Sequence, residues 1–336
     1  GVKLKENEWD ELKQKVKKNH PNSARMNASL AQKIADAEAQ VADLERKVKT
    51  VSIKKIKEAI KGKEVPNFFE YAYKRMEIIK STVSYSTYKA YYAAIVKFEK
   101  WVGTRDVYFD DFTVTLLNDY KNYLSKELKN GLTTQRLSII VLGTIFNQAI
   151  KEEIIPETMF PFKKLTLKTD NTKRLFLNKD KILDLTQLKL IEGKKANLWR
   201  DLFLFSIYAG GLRFSDVIEM QYKHYNKNEQ RISKLIRKTG RPHQFKIGKV
   251  AIDILEKYCK EGADNEDYIF PVIEDQKGYE KSESLRYFYT AKYNKLANWH
   301  LKKLGEKMEL PFKLSFHLSR HTFATNALNN GMRIEH

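Results

Sequence analysis

Apolar residues recur along most of the chain at spacings of three and four, the repeat that buries one face of an α-helix, and only 14 glycines and 7 prolines punctuate them. The pattern predicts a mainly α protein. Leu30, Ile34, Ala37, Val41, Leu44, Val48 and Val51 succeed one another at intervals of 4, 3, 4, 3, 4 and 3, a heptad seam that predicts one long helix. Such a helix serves as a connector or lies on its own domain, and the spacing fits both. Ser52 should cap a shorter helix ending at Gly62, so residues 1–64 read as a helical linker.

Four helical patterns lie between Pro66 and Pro156, each with a start signal. Asn67 precedes a stripe of Phe68, Ala72, Met76 and Ile79, and Ser86 opens one with Tyr91, Ile95 and Phe98. Thr113 opens a third with Leu116, Leu117, Tyr120 and Leu124, and Thr133 a fourth with Leu137, Ile140 and Ile150 inward. Stripes that face one another make a small bundle over residues 65–160. The lysine-rich stretch 161–173, which includes Lys163 and Lys164, reads as an extended connector, placed to run along a phosphate backbone or simply to be solvated.

From Arg174 the pattern changes. Asn178 caps a short helix, Asn197 to Tyr208 is strongly apolar, Gly210-Gly211 stops it, and Ser215 should cap the next helix. Arg231 to Lys249 reads as two short strands about the turn signal Thr239-Gly240, an exposed hairpin in a helical domain. Ser284 to Leu304 and Leu314 to Asn330 are the last helical stretches, and His336 comes five residues after Gly331. A domain over 174–336 that stops so soon after a helix-terminating glycine is expected to be incomplete at its C-terminal side.

Composition narrows the partner. The 336 residues carry 62 Lys+Arg against 42 Asp+Glu, a net charge of +20, so a polyanion is expected: nucleic acid, a ribosomal partner or an anionic membrane surface. At 42% hydrophobic and 12% aromatic the chain has material for packed cores. No run approaches the ~18 apolar residues of a spanning helix. The single cysteine, Cys259, excludes an internal disulfide and an all-cysteine metal site, and fits a reducing cytoplasm.

Three features carry candidate chemistry. The hairpin holds Arg231, Lys234, Arg237, Lys238, Arg241, Lys246 and Lys249 with no acidic residue between Gln230 and Lys249. A basic ribbon of this kind lies in a duplex groove, or is an edge hairpin kept soluble by lysines. In GGLRFSD, Gly210 to Asp216, the glycines turn the chain sharply and Arg213 stands at the mouth of a helix, with Asp216 one turn on to pin its guanidinium. That arrangement leaves donors free for a phosphate, or is an ordinary Arg–Asp pair. In HLSRHTFAT, His317 to Thr325, His317 and Arg320 share a helix face and could grip one phosphodiester.

Taken in this order in a strongly basic chain, these motifs resemble the tyrosine recombinase (phage integrase) family. Residues 174–336 resemble its catalytic domain, and residues 66–156 its helical, SAM-like core-binding domain. The segment before Pro66 is similar, more weakly, to the stretch just C-terminal to the arm-type DNA-binding domain in integrases of mobile elements from Bacteroides-like bacteria; the arm domain itself is expected to be missing. The implied fold is a mainly α core-binding bundle plus an α-rich catalytic domain with a small β-hairpin or sheet. The resemblance implies that Arg213 and Arg320 neutralise the scissile phosphate. It makes Lys238, with Arg237 and Lys234 as competitors, the lysine that protonates the leaving 5′ oxygen. His317 acts as proton acceptor or hydrogen-bond donor, and His321 and Asp216 as supports. Arg231, Lys234, Arg237, Arg241, Lys163 and Lys164 are the candidate nucleic-acid contacts. Double-stranded DNA is the implied partner, with self-association as a tetramer on it, and no metal or other cofactor is needed.

One departure stands out. The family's nucleophilic tyrosine lies well downstream of the His-x-x-Arg motif, whereas the last tyrosine here is Tyr293. The nucleophile is therefore expected beyond residue 336, and the chain by itself is expected to be inactive. Two other readings fit: a DNA-binding architectural or regulatory form without catalysis, and a metal-dependent nuclease on a helical scaffold.

Overall fold

The computed structural model describes residues 8–11, 13–18, 20–47, 66–170, 175–189 and 195–332. The expected cap at Ser52, the helix end at Gly62 and residues 171–173 of the connector lie outside the described residues. The chain divides into two compact units, residues 1–171 and 172–336.

The first unit opens with a minimal ribbon, β1 (Trp9–Asp10) paired antiparallel to β2 (Lys15–Val16), ahead of a long helix α1 (Ser23–Lys47). Asn27 on α1 stands in for a third strand. Its Oδ1 accepts from the Val16 N–H at 2.8 Å and its Nδ2 donates to the Val16 carbonyl at 2.9 Å. The helix agrees with the heptad spacing. The ribbon was not expected, because strands of two residues are too short to show alternation.

The bundle comprises α2 (Phe68–Ile79), α3 (Tyr85–Val102), α4 (Val114–Lys126) and α5 (Leu132–Lys151). It closes on a core of rings. Phe68 is fully buried and touches Phe69, Phe98, Phe109, Phe112 and Phe146 at centroid distances of 4.6–6.1 Å. Asn67 and Thr113 cap α2 and α4 as expected. The cap of α3 is Ser84 rather than Ser86, accepting from the Thr87 N–H at 3.3 Å. At α5 the cap is Gly131, and the missing side-chain acceptor comes from far along the chain: Asp170 Oδ2 accepts from the Thr133 N–H at 3.1 Å.

Two further expectations are corrected here. Leu137 and Ile140 of α5 are 58% and 40% exposed, and the buried stripe is Ile139, Leu142, Ile145, Phe146 and Ala149. The apolar run 137–142 has no phase of its own, so packing decides which face turns inward. The ring of Phe162 packs beside Gly143, 3.4 Å from where a Cβ would stand, an ordinary contact distance. Consequently the supposed connector is not extended up to residue 170. It forms turns at Glu157–Met159 and Phe162–Lys164, packs Phe160, Phe162, Leu165 and Leu167 on the bundle core, and reaches Asp170 at the start of α5.

In the second unit α6 (Lys179–Gln187), α7 (Lys195–Tyr208), α8 (Phe214–Ile218), α9 (Lys249–Tyr258), α10 (Gln276–Glu280), α11 (Glu283–Lys307) and α12 (His317–Asn329) surround one core. The apolar α7 lies at its centre, with Leu202, Phe203 and Phe205 fully buried. The sheet has three antiparallel strands in the order β3 (Tyr225–Asn226), β4 (Arg231–Ile236), β5 (Arg241–Lys246), one more than the sequence suggests. Arg231 pairs with Lys246 and Ile236 with Arg241 across the hairpin. Among the described residues no helix is long and apolar enough to cross a membrane.

Candidate functional site

Gly210 and Gly211 both take left-handed backbone, φ +73° and +67°, which ends α7 and lets the chain reverse into α8. A side chain at Gly211 would place its Cβ 2.9 Å from the ring of Phe323 on α12. The glycine is therefore what lets α12 come close to the turn. Arg213, in extended backbone, is the residue at the N-terminal boundary of α8; Ser215, expected there, is inside the helix. From the other side, Arg320 on α12 donates Nη1–H to the Gly211 carbonyl at 2.8 Å. A buried hydroxyl pair ties the same elements together: Ser206 on α7 donates to the Leu212 carbonyl at 2.7 Å and lies 2.7 Å from Ser319 on α12. No periodicity announces these serines, which read as neutral positions within apolar helices.

Five predicted residues converge here. The charge of Arg213 and burial both act on Arg320, whose guanidinium is held below its ordinary pKa, burial contributing most. His317 at the start of α12 is likewise lowered, first by partial burial and then by His321, Arg320, Lys238 and Arg213. A histidine so placed is neutral near pH 7. His321 stacks edge-on to His317 with centroids 4.6 Å apart. Among the described residues no carboxylate lies within 4 Å of the guanidinium of Arg213 or Arg320. Asp216 is a counter-charge felt by both without an ion-pair contact, and two like charges with no carboxylate on their forks make a site that an anion can complete.

The expected pairing of Asp216 with Arg213 is not what the structure holds. Asp216 is fully buried on the inner side of α8, and its Oδ1 accepts from the main-chain N–H of Arg237 at 3.3 Å. Burial raises its pKa, a raising that the Arg237 N–H, Lys234 and Arg213 oppose. Its role is to hold the hairpin.

Nor is the hairpin a uniformly exposed cationic ribbon. Strand β4 alternates, with Ile232, Lys234 and Ile236 inward. Lys234 is only 7% exposed; it donates to the Glu219 main-chain carbonyl at 2.6 Å, and burial lowers its pKa. Arg237 is ion-paired through Nη1 to Glu219 Oε1 at 2.9 Å and through Nη2 to Glu283 Oε2 at 3.1 Å. Arg231 lies 3.6 Å from Glu229, and in the first unit Lys163 lies 2.6 Å from Glu157. Lys238 and Arg241 flank the Thr239-Gly240 turn and are exposed, as is Lys164. The structure thus separates cations that stand together in the sequence: Lys238 and Arg241 face outward, Lys234 and Arg237 inward.

Glu219, Tyr279 and Arg286 were not anticipated. Glu219, 5% exposed, accepts from Tyr279 Oη at 2.6 Å besides Arg237, and Arg286 stands 3.4 Å away. The only sequence signal is an acidic residue in an otherwise apolar stretch, Val217 to Met220. No group of three or more His, Cys, Asp or Glu among the described residues has the arrangement of a metal site.

The chain is similar to known proteins. A model of the phage integrase family matches residues 175–336, one of the phage integrase SAM-like domain matches 67–166, and one of an arm DNA-binding domain matches 1–57. The last falls on the ribbon and α1, the region expected to be a linker without an arm domain. The tyrosine recombinase XerA of Pyrococcus horikoshii is 25% identical over 230 residues, 68% of this chain and 72% of that protein. Among solved structures, the Tn1549 transposon integrase in complex with circular intermediate DNA superposes with a TM-score of 0.60 at 17% identity, covering 80% of this chain and 89% of its own. A lambda integrase dimer bound to a COC′ core site superposes with 0.57 at 17% identity, covering 90% and 81%. A lambda integrase tetramer bound to a Holliday junction gives 0.55 at 15%, covering 99% and 92%. At these identities the structural likeness speaks for the fold.

Proposed function

The chain belongs to the tyrosine recombinase (phage integrase) family, and we propose that it is the DNA-cleaving part of a site-specific recombinase of a mobile genetic element. The observation that carries the reading is the pair Arg213 and Arg320, held at one turn by Gly211 with no carboxylate on either guanidinium among the described residues.

In this reading the two forks bind the non-bridging oxygens of the scissile phosphate and stabilise the charge that grows on them in the pentacoordinate transition state. A tyrosine oxygen bonds to phosphorus as the bond from phosphorus to the 5′ oxygen breaks. The phenol proton passes to His317, which its surroundings keep neutral, and the Lys238 ammonium gives a proton to the departing 5′ oxygen. A 3′-phosphotyrosine conserves the bond, so rejoining needs no nucleotide hydrolysis. Attack by a 5′ hydroxyl of another duplex reverses the proton movements. Tyr293 is the last tyrosine of residues 1–336 and precedes the His-x-x-Arg helix, and none of these tyrosines is assigned as the nucleophile. Arg241, Arg231, Lys163 and Lys164 contact phosphates of duplex DNA, on which protomers assemble as tetramers.

The test is a nicked duplex that traps the covalent intermediate, incubated with the full-length protein in EDTA. A protein–DNA adduct that resists boiling in detergent is expected. Binding without adduct supports instead an architectural DNA-binding role, and cleavage abolished by EDTA a metal-dependent nuclease.

A further inference from the structure

Resting on the reading above, we propose that Arg237 and Glu219 form a clamp that positions Lys238 for protonation of the leaving 5′ oxygen, and that Arg237 is not a DNA contact.

Lys238 is exposed at the tip of a two-stranded hairpin, and an ammonium at the end of four methylenes transfers a proton efficiently only if its Cα is held in place. The residue before it does the holding, through three bonds in two directions. The Arg237 main-chain N–H meets Asp216 Oδ1 at 3.3 Å, and its guanidinium meets Glu219 at 2.9 Å and Glu283 at 3.1 Å. Asp216 lies on α8 and Glu219 ends it. This is the helix that Arg213 begins. Thus the backbone positions of Arg213 and Lys238 are coupled through one short helix and one arginine. Tyr279 on α10, donating to the same Glu219 oxygen at 2.6 Å and lying 2.8 Å from Thr290 on α11, fixes Glu219 from behind. Lys234 completes the clamp by donating to the Glu219 carbonyl from the middle of β4 at 2.6 Å.

The geometry also argues against a DNA role. An arginine whose two terminal nitrogens each meet a carboxylate has its charge already offset, and a phosphate must compete with both. One of those carboxylates is buried, and stripping Arg237 from it leaves only Arg286, 3.4 Å away, to offset its charge.

The decisive experiment uses two scissile phosphates in the full-length protein: the natural one, and one whose bridging 5′ oxygen is replaced by sulfur. A thiolate leaves without protonation, so the sulfur substrate bypasses the lysine. Arg237→Ala and Glu219→Gln are each expected to slow cleavage of the natural phosphate by about 30-fold or more. They should cleave the sulfur substrate within about threefold of wild type and bind duplex within about twofold, and Arg237→Lys should restore part of the loss. Equal losses on both substrates would overturn the clamp in favour of a general disruption of the site. A fall in duplex affinity with unchanged cleavage of bound DNA would make Arg237 a phosphate contact after all. Lys238→Ala is the control for the reading beneath. If sulfur does not rescue it, Lys238 is not the proton donor and the error lies there; if it does and Arg237→Ala is not rescued, the clamp alone is wrong. Should Glu219→Gln fail to fold, Glu283→Ala, which removes the exposed carboxylate, is expected to show the same sulfur-sensitive defect at smaller size, and no such defect would count against the clamp.

Discussion

Two guanidiniums near each other repel, and in the proposed reading the scissile phosphate offsets that cost at Arg213 and Arg320. Arg213→Lys and Arg320→Lys keep the charge and lose the fork. Each is expected to lower the rate of strand cleavage by roughly 100- to 1,000-fold while changing duplex affinity by less than about fivefold. Adduct formation under single-turnover conditions and filter binding measure the two. His317 supplies a second check. Its pKa is lowered, mainly by burial and then by the neighbouring cations. The neutral, proton-accepting form therefore persists to lower pH than for a free imidazole, and the rate should fall only once pH drops through a midpoint below the usual histidine range. His317→Asn should lose that acid limb. A limb centred above pH 7 would contradict the assignment.

At the scale of elements the site is a meeting of one turn, one hairpin and one helix, and its weakest joint is Gly211. A side chain there meets both a left-handed φ of +67° and the ring of Phe323 at 2.9 Å. Gly211→Ala is expected to cost roughly 3 kcal/mol in urea unfolding, and adding Phe323→Ala should recover only the steric part. The motif itself was readable because its glycines, its arginines and its helical spacing each reflect a local requirement. The unreadable part was long-range. Asp170 reaches the start of α5 from 37 residues away, Glu219 gathers Arg237 and Tyr279, and Lys234 turns inward because β4 alternates on a buried face. A run of cations in one segment does not say which of them the fold will neutralise. The same limit explains α5, where a largely apolar run left its inward face to be chosen by packing on the bundle core.

Across the whole molecule the positive excess is shared. Residues 1–171 hold 31 Lys+Arg against 22 Asp+Glu, an excess of +9, and residues 172–336 hold 31 against 20, an excess of +11. Neither unit is a neutral passenger, so both should bind duplex DNA when expressed apart. Residues 66–170, with their own ring-filled core, should melt cooperatively on their own. Each phosphate neutralised steepens the fall of log affinity with log salt by about 0.9. The slope of the whole chain is therefore expected to exceed that of either fragment. Arg241→Ala and Lys164→Ala, exposed cations without an ion pair among the described residues, should each flatten the slope by about 1. Lys234→Met should leave the slope where it is, because a lysine 7% exposed and bound to the Glu219 carbonyl neutralises no phosphate and so releases no counterion. A slope that responds equally to all three would mean that burial does not sort these cations in solution. In that case the hairpin would be the evenly charged ribbon that its sequence suggests.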